Sequence, residues 1–248
     1  MRIILLFMSA FITLVVSSNA ESSDKLIDAL LDEQDKIRSI DCSLTQLIFE
    51  EGSSTRYEGR FRALYGGRFR IDYYKPSIQT VLNTESGLFW HIPEYNTLYI
   101  IPSANPSTGR DGMAGAGNVL KKIHRDMELK YLGIHFRGFF SPVHEFIILD
   151  KKNGMKIEIF AGARDNIILE KKIIDRDGNE VMHEVYGNYA RVHGVLFPHR
   201  VDVFAKTKNG VTRSISEYEG IILNGKIHES VFRLKVPKNI RKVSYAER

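Results

Sequence analysis

The residue types that most often carry out catalysis are present in this chain of 248 residues, but not at catalytic spacings. His144-Glu145 and His183-Glu184 are the pairs that come nearest to a zinc-protease motif. That motif needs a second histidine four residues after the first, on one face of a helix, and neither pair has one. On strands, each pair would point its two side chains to opposite faces of a sheet. The sequence therefore predicts no metal site.

Three other polar features have simpler explanations than catalysis. The segment from Asp175 to Glu180 lacks the distal glutamate of a calcium loop and fits a tight turn between strands. Ser141 precedes a proline and stands in no nucleophile elbow. Cys42, the single cysteine, lies in an apolar stretch with no histidine beside it, which indicates a buried small hydrophobic residue. We expect no enzyme and no cofactor, although a secreted hydrolase with a dispersed site is an alternative.

The strongest signal is an apolar one, between Gly59 and Ile101. Apolar and polar residues alternate on both sides of the Gly66-Gly67 pair, which predicts an antiparallel hairpin with one apolar face. A curved sheet whose concave side is incompletely covered would leave a pocket for acyl chains, whereas a fully filled core is the alternative. The candidate cavity residues are Phe61, Tyr65, Phe69, Ile71, Tyr73, Val81, Trp90, Leu98 and Ile100.

Residues 1–20 are typical of a secretory signal peptide. Arg2 precedes an apolar stretch from Ile3 to Val16, and Ser18-Asn19-Ala20 has the small residues of a cleavage site. A retained N-terminal anchor is the alternative. The formal net charge of +5 comes from basic residues that are spread along the chain, which does not indicate nucleic acid as a partner. Residues 21–248 are expected to form one exported domain.

Two helices are predicted outside the strands. The first is capped at Ser23-Asp24 and places Leu26, Ile27 and Leu30 on one face. The second follows a Pro- and Gly-rich segment from Pro102 to Gly117 and runs from Val119 to about Leu129. An amphipathic helix behind a loose segment suits a lid over an apolar groove, but a helix packed on the core would look the same. The lid residues would be Val119, Leu120, Ile123 and Met127.

In the rest of the chain, short strand-like segments alternate with tight turns, which favours one antiparallel meander. In the first half the predicted strands are Leu44–Glu50, Tyr57–Tyr65, Phe69–Tyr74, Gln79–Asn83, Leu88–Ile92 and Thr97–Ile101. In the second half they are Glu145–Asp150, Met155–Phe160, Ile167–Asp175, Glu180–Tyr189, Phe197–Ala205, Val211–Gly220 and Val231–Leu234.

Short motifs follow one another in an order that resembles a known family. An amphipathic helix precedes Ser43-Leu-Thr-Gln46, then Gly59-x-Phe61, Arg68-Phe-Arg70-Ile-Asp-Tyr73, Lys75-Pro76, Asn83, Gly87-x-x-Trp90 and Pro93. The second half adds Gly194-Val-Leu-Phe197-Pro198, Tyr218 to Asn224, Val231-Phe232-Arg-Leu234 and Pro237. This order resembles the LolA-type periplasmic lipoprotein carriers and related outer-membrane lipoprotein-sorting proteins. The resemblance covers most of the chain after residue 20.

The resemblance implies an α+β fold, in which a strongly curved antiparallel sheet forms an unclosed half-barrel with helices covering its concave face. It implies a soluble, monomeric periplasmic carrier that takes acylated lipoprotein or lipid cargo from an inner-membrane transporter towards an outer-membrane acceptor. A lipid-sensing regulatory protein of the same fold is the alternative. At Tyr65 the chain departs from the family, because the carriers have there an arginine that latches the lid.

Overall fold

The computed structural model describes residues 20–50, 52–65, 67–102, 127–137, 141–207 and 210–244. Residues 1–19 of the expected signal peptide lie outside this part of the chain, as do most of the Pro- and Gly-rich segment and the lid residues Val119, Leu120 and Ile123. Among the described residues, no helix has the length and apolar content that crossing a membrane requires.

One α-helix and fourteen strands make up the described chain. Helix α1 spans Ala20–Asp35, and 3-10 turns occur at Pro93–Tyr95 and Glu229–Phe232. The strands are β1 (Ser39–Glu50), β2 (Ser53–Leu64), β3 (Arg68–Lys75), β4 (Gln79–Thr84), β5 (Gly87–Ile92), β6 (Thr97–Pro102), β7 (Met127–Arg137), β8 (Ser141–Asp150), β9 (Lys156–Gly162), β10 (Ile168–Ile174), β11 (Glu180–Val192), β12 (Val195–Thr207), β13 (Gly210–Leu223) and β14 (Arg241–Ser244).

All fourteen strands belong to one curved sheet that does not close. Its order is β14-β6-β5-β4-β3-β2-β1-β13-β12-β11-β10-β9-β8-β7, so β14 and β7 form the two edges. Each pair of neighbours is antiparallel except β14 and β6, which are parallel. The expectation of a large unclosed antiparallel sheet is confirmed, with this single parallel pair as the exception.

The main core lies on one face of the sheet, which we call the inner face. The side chains opposite one another in a row across β1 to β6 define it: Cys42, Phe61, Ile71, Val81, Trp90 and Tyr99. Helix α1 packs on this face through Ile27 and Leu30, which are buried in the same cluster as Cys42 and Phe61. Because only α1 provides helical cover among the described residues, the expected set of several helices over the concave face is not observed there.

The C-terminal segment packs on the opposite, outer face. Its 3-10 turn at Glu229–Phe232 lies against β3 and β4. Arg68 forms an ion pair with Glu229 at 2.6 Å, and the Arg70 Nη1 donates to the Val231 carbonyl oxygen at 2.9 Å. The strands β3 and β4 are therefore covered on the side away from the main core.

Four expectations about elements were wrong. The helix expected from Val119 to about Leu129 does not include Met127 to Leu129, which belong to strand β7, and the rest of it lies outside the described residues. Val231–Leu234 contains the end of a 3-10 turn in place of a strand, and neither β7 nor β14 was predicted. Helix α1 begins at Ala20, before the expected cap at Ser23-Asp24.

Candidate functional site

An apolar groove of about 610 Å³ opens on the inner face. This volume lies within the range of roughly 300–1,000 Å³ that is usual for small-molecule sites. The side chains around the groove come from the six strands β1 to β6. They are Ile48, Glu50, Ser53, Thr55, Tyr57, Tyr73, Gln79, Val81, Leu88, Trp90, Tyr99 and Ile101.

The groove exists because β1 and β2 are longer than their neighbour β3. The β1–β2 pairing continues to Glu50 opposite Ser53, whereas the pairing of β2 with β3 begins at Glu58. Beyond Glu58, the inner-face side chains of β1 and β2, such as Ile48 and Thr55, have no β3 neighbour beside them. The projecting hairpin thus supplies one wall of the groove, and β4 to β6 supply the other.

Aromatic residues form the wall on β5 and β6. Trp90 and Tyr99 are directly opposite each other, with ring centroids 5.4 Å apart. The Trp90 Nε1 donates to the Gln79 Oε1 at 2.9 Å, and the Gln79 Nε2 donates to the Ser77 Oγ at 2.8 Å. The indole nitrogen of Trp90 thus has its hydrogen-bond acceptor within the wall. Because 41% of the residue is exposed, the ring surface is available for apolar contact.

A polar chain of side chains marks the inner end of the groove. The Tyr73 hydroxyl donates to the Gln46 Oε1 at 2.6 Å, and the Gln46 Nε2 donates to the Ser214 Oγ at 2.9 Å and to the Ser216 Oγ at 3.3 Å. The Tyr57 and Tyr73 rings lie 5.3 Å apart. Burial raises the pKa of Tyr73, so its hydroxyl stays protonated and can donate this bond at physiological pH.

The structure divides the residues expected in the cavity into four groups, of which Leu98 and Ile100 are the last. Tyr73, Val81 and Trp90 line the groove. Phe61, Phe69 and Ile71 share the inner face but belong to the core cluster or pack against it. Tyr65 follows the end of β2, and half of its surface is exposed. Of the expected lid residues, only Met127 is in the described part of the chain, as the first residue of β7.

Leu98 and Ile100 lie on the outer face, which corrects their assignment to the cavity. Leu98 is opposite His91 and Ile100 is opposite Phe89, whereas the groove residue Trp90 is opposite Tyr99. Because side chains alternate between faces along a strand, the residues of β6 that reach the groove are Tyr99 and Ile101.

The groove residues that sequence reasoning missed come mainly from the β1–β2 hairpin. Ile48, Thr55 and Tyr57 alternate with outward-facing residues, so a period-two pattern was available to find them. That pattern does not reveal how far the hairpin projects beyond β3, which is what exposes them.

Several titratable residues on the inner face contact one another. The Lys171 Nζ lies 2.9 Å from the Glu184 Oε2, and the Tyr131 hydroxyl is 2.9 Å from the His144 Nδ1. Burial raises the pKa of the Cys42 thiol to about 12, which leaves it unreactive. Within the described ranges, no group of three or more His, Cys, Asp or Glu side chains could hold a metal ion.

Known proteins resemble this chain in fold. No protein-family model and no curated protein matches it. A LolA superfamily protein from Nitrosomonas europaea superposes with a TM-score of 0.60 and 13% identity, over 84% of this chain and 97% of that one. A domain described as a candidate outer membrane lipoprotein-sorting protein, from Vibrio parahaemolyticus, gives a TM-score of 0.62 and 13% identity, over 85% and 97%. A DUF1329 family protein from Desulfovibrio piger gives 0.62 and 10%, over 85% and 96%. The chain has the LolA-type fold.

Proposed function

We propose that the protein is a soluble periplasmic carrier that holds the acyl chains of lipoproteins, or of another lipid, in the groove and moves them towards the outer membrane. The observation that carries this proposal is the groove itself, an open apolar cleft on the inner face of a LolA-type sheet. The polar atoms of Tyr73 and Trp90 at the groove are bound to glutamine side chains, so the surface they offer to a ligand is hydrocarbon.

Burial of an acyl chain provides enough free energy for transport through water. Each buried CH₂ contributes about 0.8 kcal/mol, so a chain of fourteen to sixteen carbons would gain roughly 10 kcal/mol before the costs of association. Binding of this kind needs no covalent step and no cofactor, and release follows when the acceptor holds the chain more tightly.

The rest of the proposal concerns the setting of the groove. Residues 1–20 would direct export and be removed, and residues 21–248 would form a single, monomeric domain. An inner-membrane transporter would deliver the cargo, and Val119, Leu120 and Ile123 would cover it. The fold shared with a protein of outer membrane lipoprotein sorting supports this route.

The single tryptophan of the chain gives a direct test, because Trp90 lines the groove. Titration of the purified protein with sodium palmitate should change the emission of Trp90. Val81→Glu should weaken binding about tenfold or more, because it places a charge in an apolar cleft. The matched control is Val211→Glu, at a position that is 65% exposed and away from the groove, which should bind as the unmodified protein does.

Native mass spectrometry of protein taken from the periplasm should also detect an acylated ligand. The proposal is wrong if no acylated ligand co-purifies and palmitate leaves the Trp90 emission unchanged. A ligand that co-purifies but never moves between membrane vesicles would instead indicate a lipid sensor.

A further inference from the structure

The hydrogen bond between Tyr73 and Gln46 crosses an entire strand. Tyr73 lies on β3 and Gln46 on β1, with β2 between them, and strands two apart in a sheet are separated by about 10 Å. The β2 residue opposite Tyr73 is Gly59, which is also opposite Leu44 on β1. Since glycine has no side chain, the phenol ring has room to reach across β2 over this position. An added Cβ at Gly59 would lie 2.6 Å from the Asp72 carbonyl oxygen, so the position excludes other residues.

The polar chain continues to a fourth strand. Gln46 binds Ser214 and Ser216, which lie on β13 at the other side of β1. Tyr73, Gln46 and these two serines therefore form a connected bar across β3, β2, β1 and β13, which we call the crossbar.

The two sides of the crossbar differ in packing. On one side Cys42, Leu44 and Phe61 are 2–6% exposed and belong to the filled core. On the other side Ile48 and Thr55 line the open groove. On β1 and β2, the crossbar is thus the boundary at which the inner face changes from filled to open.

We propose that Tyr73 and Gln46 set the inner end of the groove and so determine the length of the straight saturated chain that it accepts. This inference rests on the proposed function, in which the groove holds an acyl chain. The chain enters with its methyl end towards the Tyr73 ring and its polar end towards solvent at the open side of the groove. A longer chain would have to displace the crossbar, which would leave the polar atoms of Tyr73 and Gln46 without partners against hydrocarbon.

The test is a series of saturated fatty acids from octanoate to stearate, used below their critical micelle concentrations, with Trp90 emission as the readout. In the unmodified protein each added CH₂ should raise the affinity about fourfold until the chain reaches Tyr73, after which the affinity should stay level. In Tyr73→Ala the affinity should continue to rise in longer chains. The matched control is Tyr74→Ala, at the next residue of β3, which is 56% exposed and is not among the residues around the groove.

Gln46→Ala provides a second variant in case Tyr73→Ala does not fold, which circular dichroism would show. Without this acceptor the Tyr73 side chain can move aside. The chain length at which the affinity stops rising should therefore again increase. The inference is overturned if the folded variants keep the chain-length limit of the unmodified protein while still binding fatty acids. If no fatty acid in the series changes Trp90 emission in the unmodified protein, the proposed function itself fails, and this inference with it.

Discussion

Removing one partner of the buried ion pair between Lys171 and Glu184 should lower the free energy of unfolding far more than removing both partners. The Lys171 Nζ and the Glu184 Oε2 are 2.9 Å apart, and only 4% and 6% of the two side chains are exposed. The Tyr186 hydroxyl also donates to the Glu184 Oε2. The pair joins β10 to β11 on the inner face, where water cannot replace a lost partner.

The size of the effect follows from this burial. Lys171→Met leaves the Glu184 carboxylate with a single hydroxyl donor and no countercharge, so we expect the free energy of unfolding to fall by about 3–5 kcal/mol. The double variant Lys171→Met/Glu184→Leu removes both charges. Its remaining cost is the unpaired Tyr186 hydroxyl, about 1–3 kcal/mol, which the apolar packing of the two new side chains offsets in part.

Denaturant unfolding at neutral pH measures the free energy of unfolding of the four proteins in this cycle, which are the unmodified protein, the two single variants and the double variant. A surface pair provides the control, because Lys75 and Glu58 also lie 2.9 Å apart but the Lys75 side chain is 65% exposed. Its double-mutant cycle should show little coupling. If Lys171→Met loses no more stability than the double variant, or the two cycles give equal coupling, then desolvation does not govern the buried pair and the reasoning is refuted.

Two further predictions concern the cover of the inner face and the outer-face charges. Leu30→Ala should lower the free energy of unfolding by about 2–5 kcal/mol in denaturant titrations, because Leu30 anchors α1 and is 1% exposed, whereas Ile78→Ala, at a side chain that is 67% exposed, should change it little. Burial raises the pKa of Asp72, but hydrogen bonds from Arg70 and Thr80 and nearby arginine charges lower it more, so the net pKa is below the ordinary value. A carboxylate of this kind stabilises the fold above its unfolded pKa of about 3.9 and loses that contribution as the pH falls through the folded value. Asp72→Asn should therefore melt at a lower temperature than the unmodified protein at pH 7, with a gap that closes in acid; a gap independent of pH would contradict this.

The sequence was sufficient to predict which side chains share a face in strands whose two faces differ in polarity. In β2 and β3, apolar residues alternate with arginines and Asp72, and the observed register pairs Phe61 with Ile71 as that alternation requires. The same rule could not assign the faces of β6. Every residue from Leu98 to Ile101 is apolar, because the groove lies on one side of this strand and Leu98, 4% exposed, is buried on the other.

Elements fixed by partners distant in sequence were beyond prediction from local pattern. Strand β14 has only four residues and pairs in parallel with β6, which precedes it in the sequence by more than 130 residues. Strand β7 begins with residues whose apolar spacing also fits the end of a helix, and its pairing with β8 decides between the two. In both segments, non-local contacts override a weak local preference.

The candidate site depends on a mismatch of strand lengths that composition does not reveal. β1 and β2 have twelve residues each, β3 has eight, and β4 to β6 have six each, so the inner face extends further on one hairpin than on its neighbours. Where all strands are present, side chains from facing elements fill the inner face, as around Phe61. Where β3 has ended, Ile48 and Thr55 line the open groove, and no described strand lies beside them on that side. An apolar face therefore becomes an open groove at the place where β3 ends, and Tyr73 lies near that end of β3.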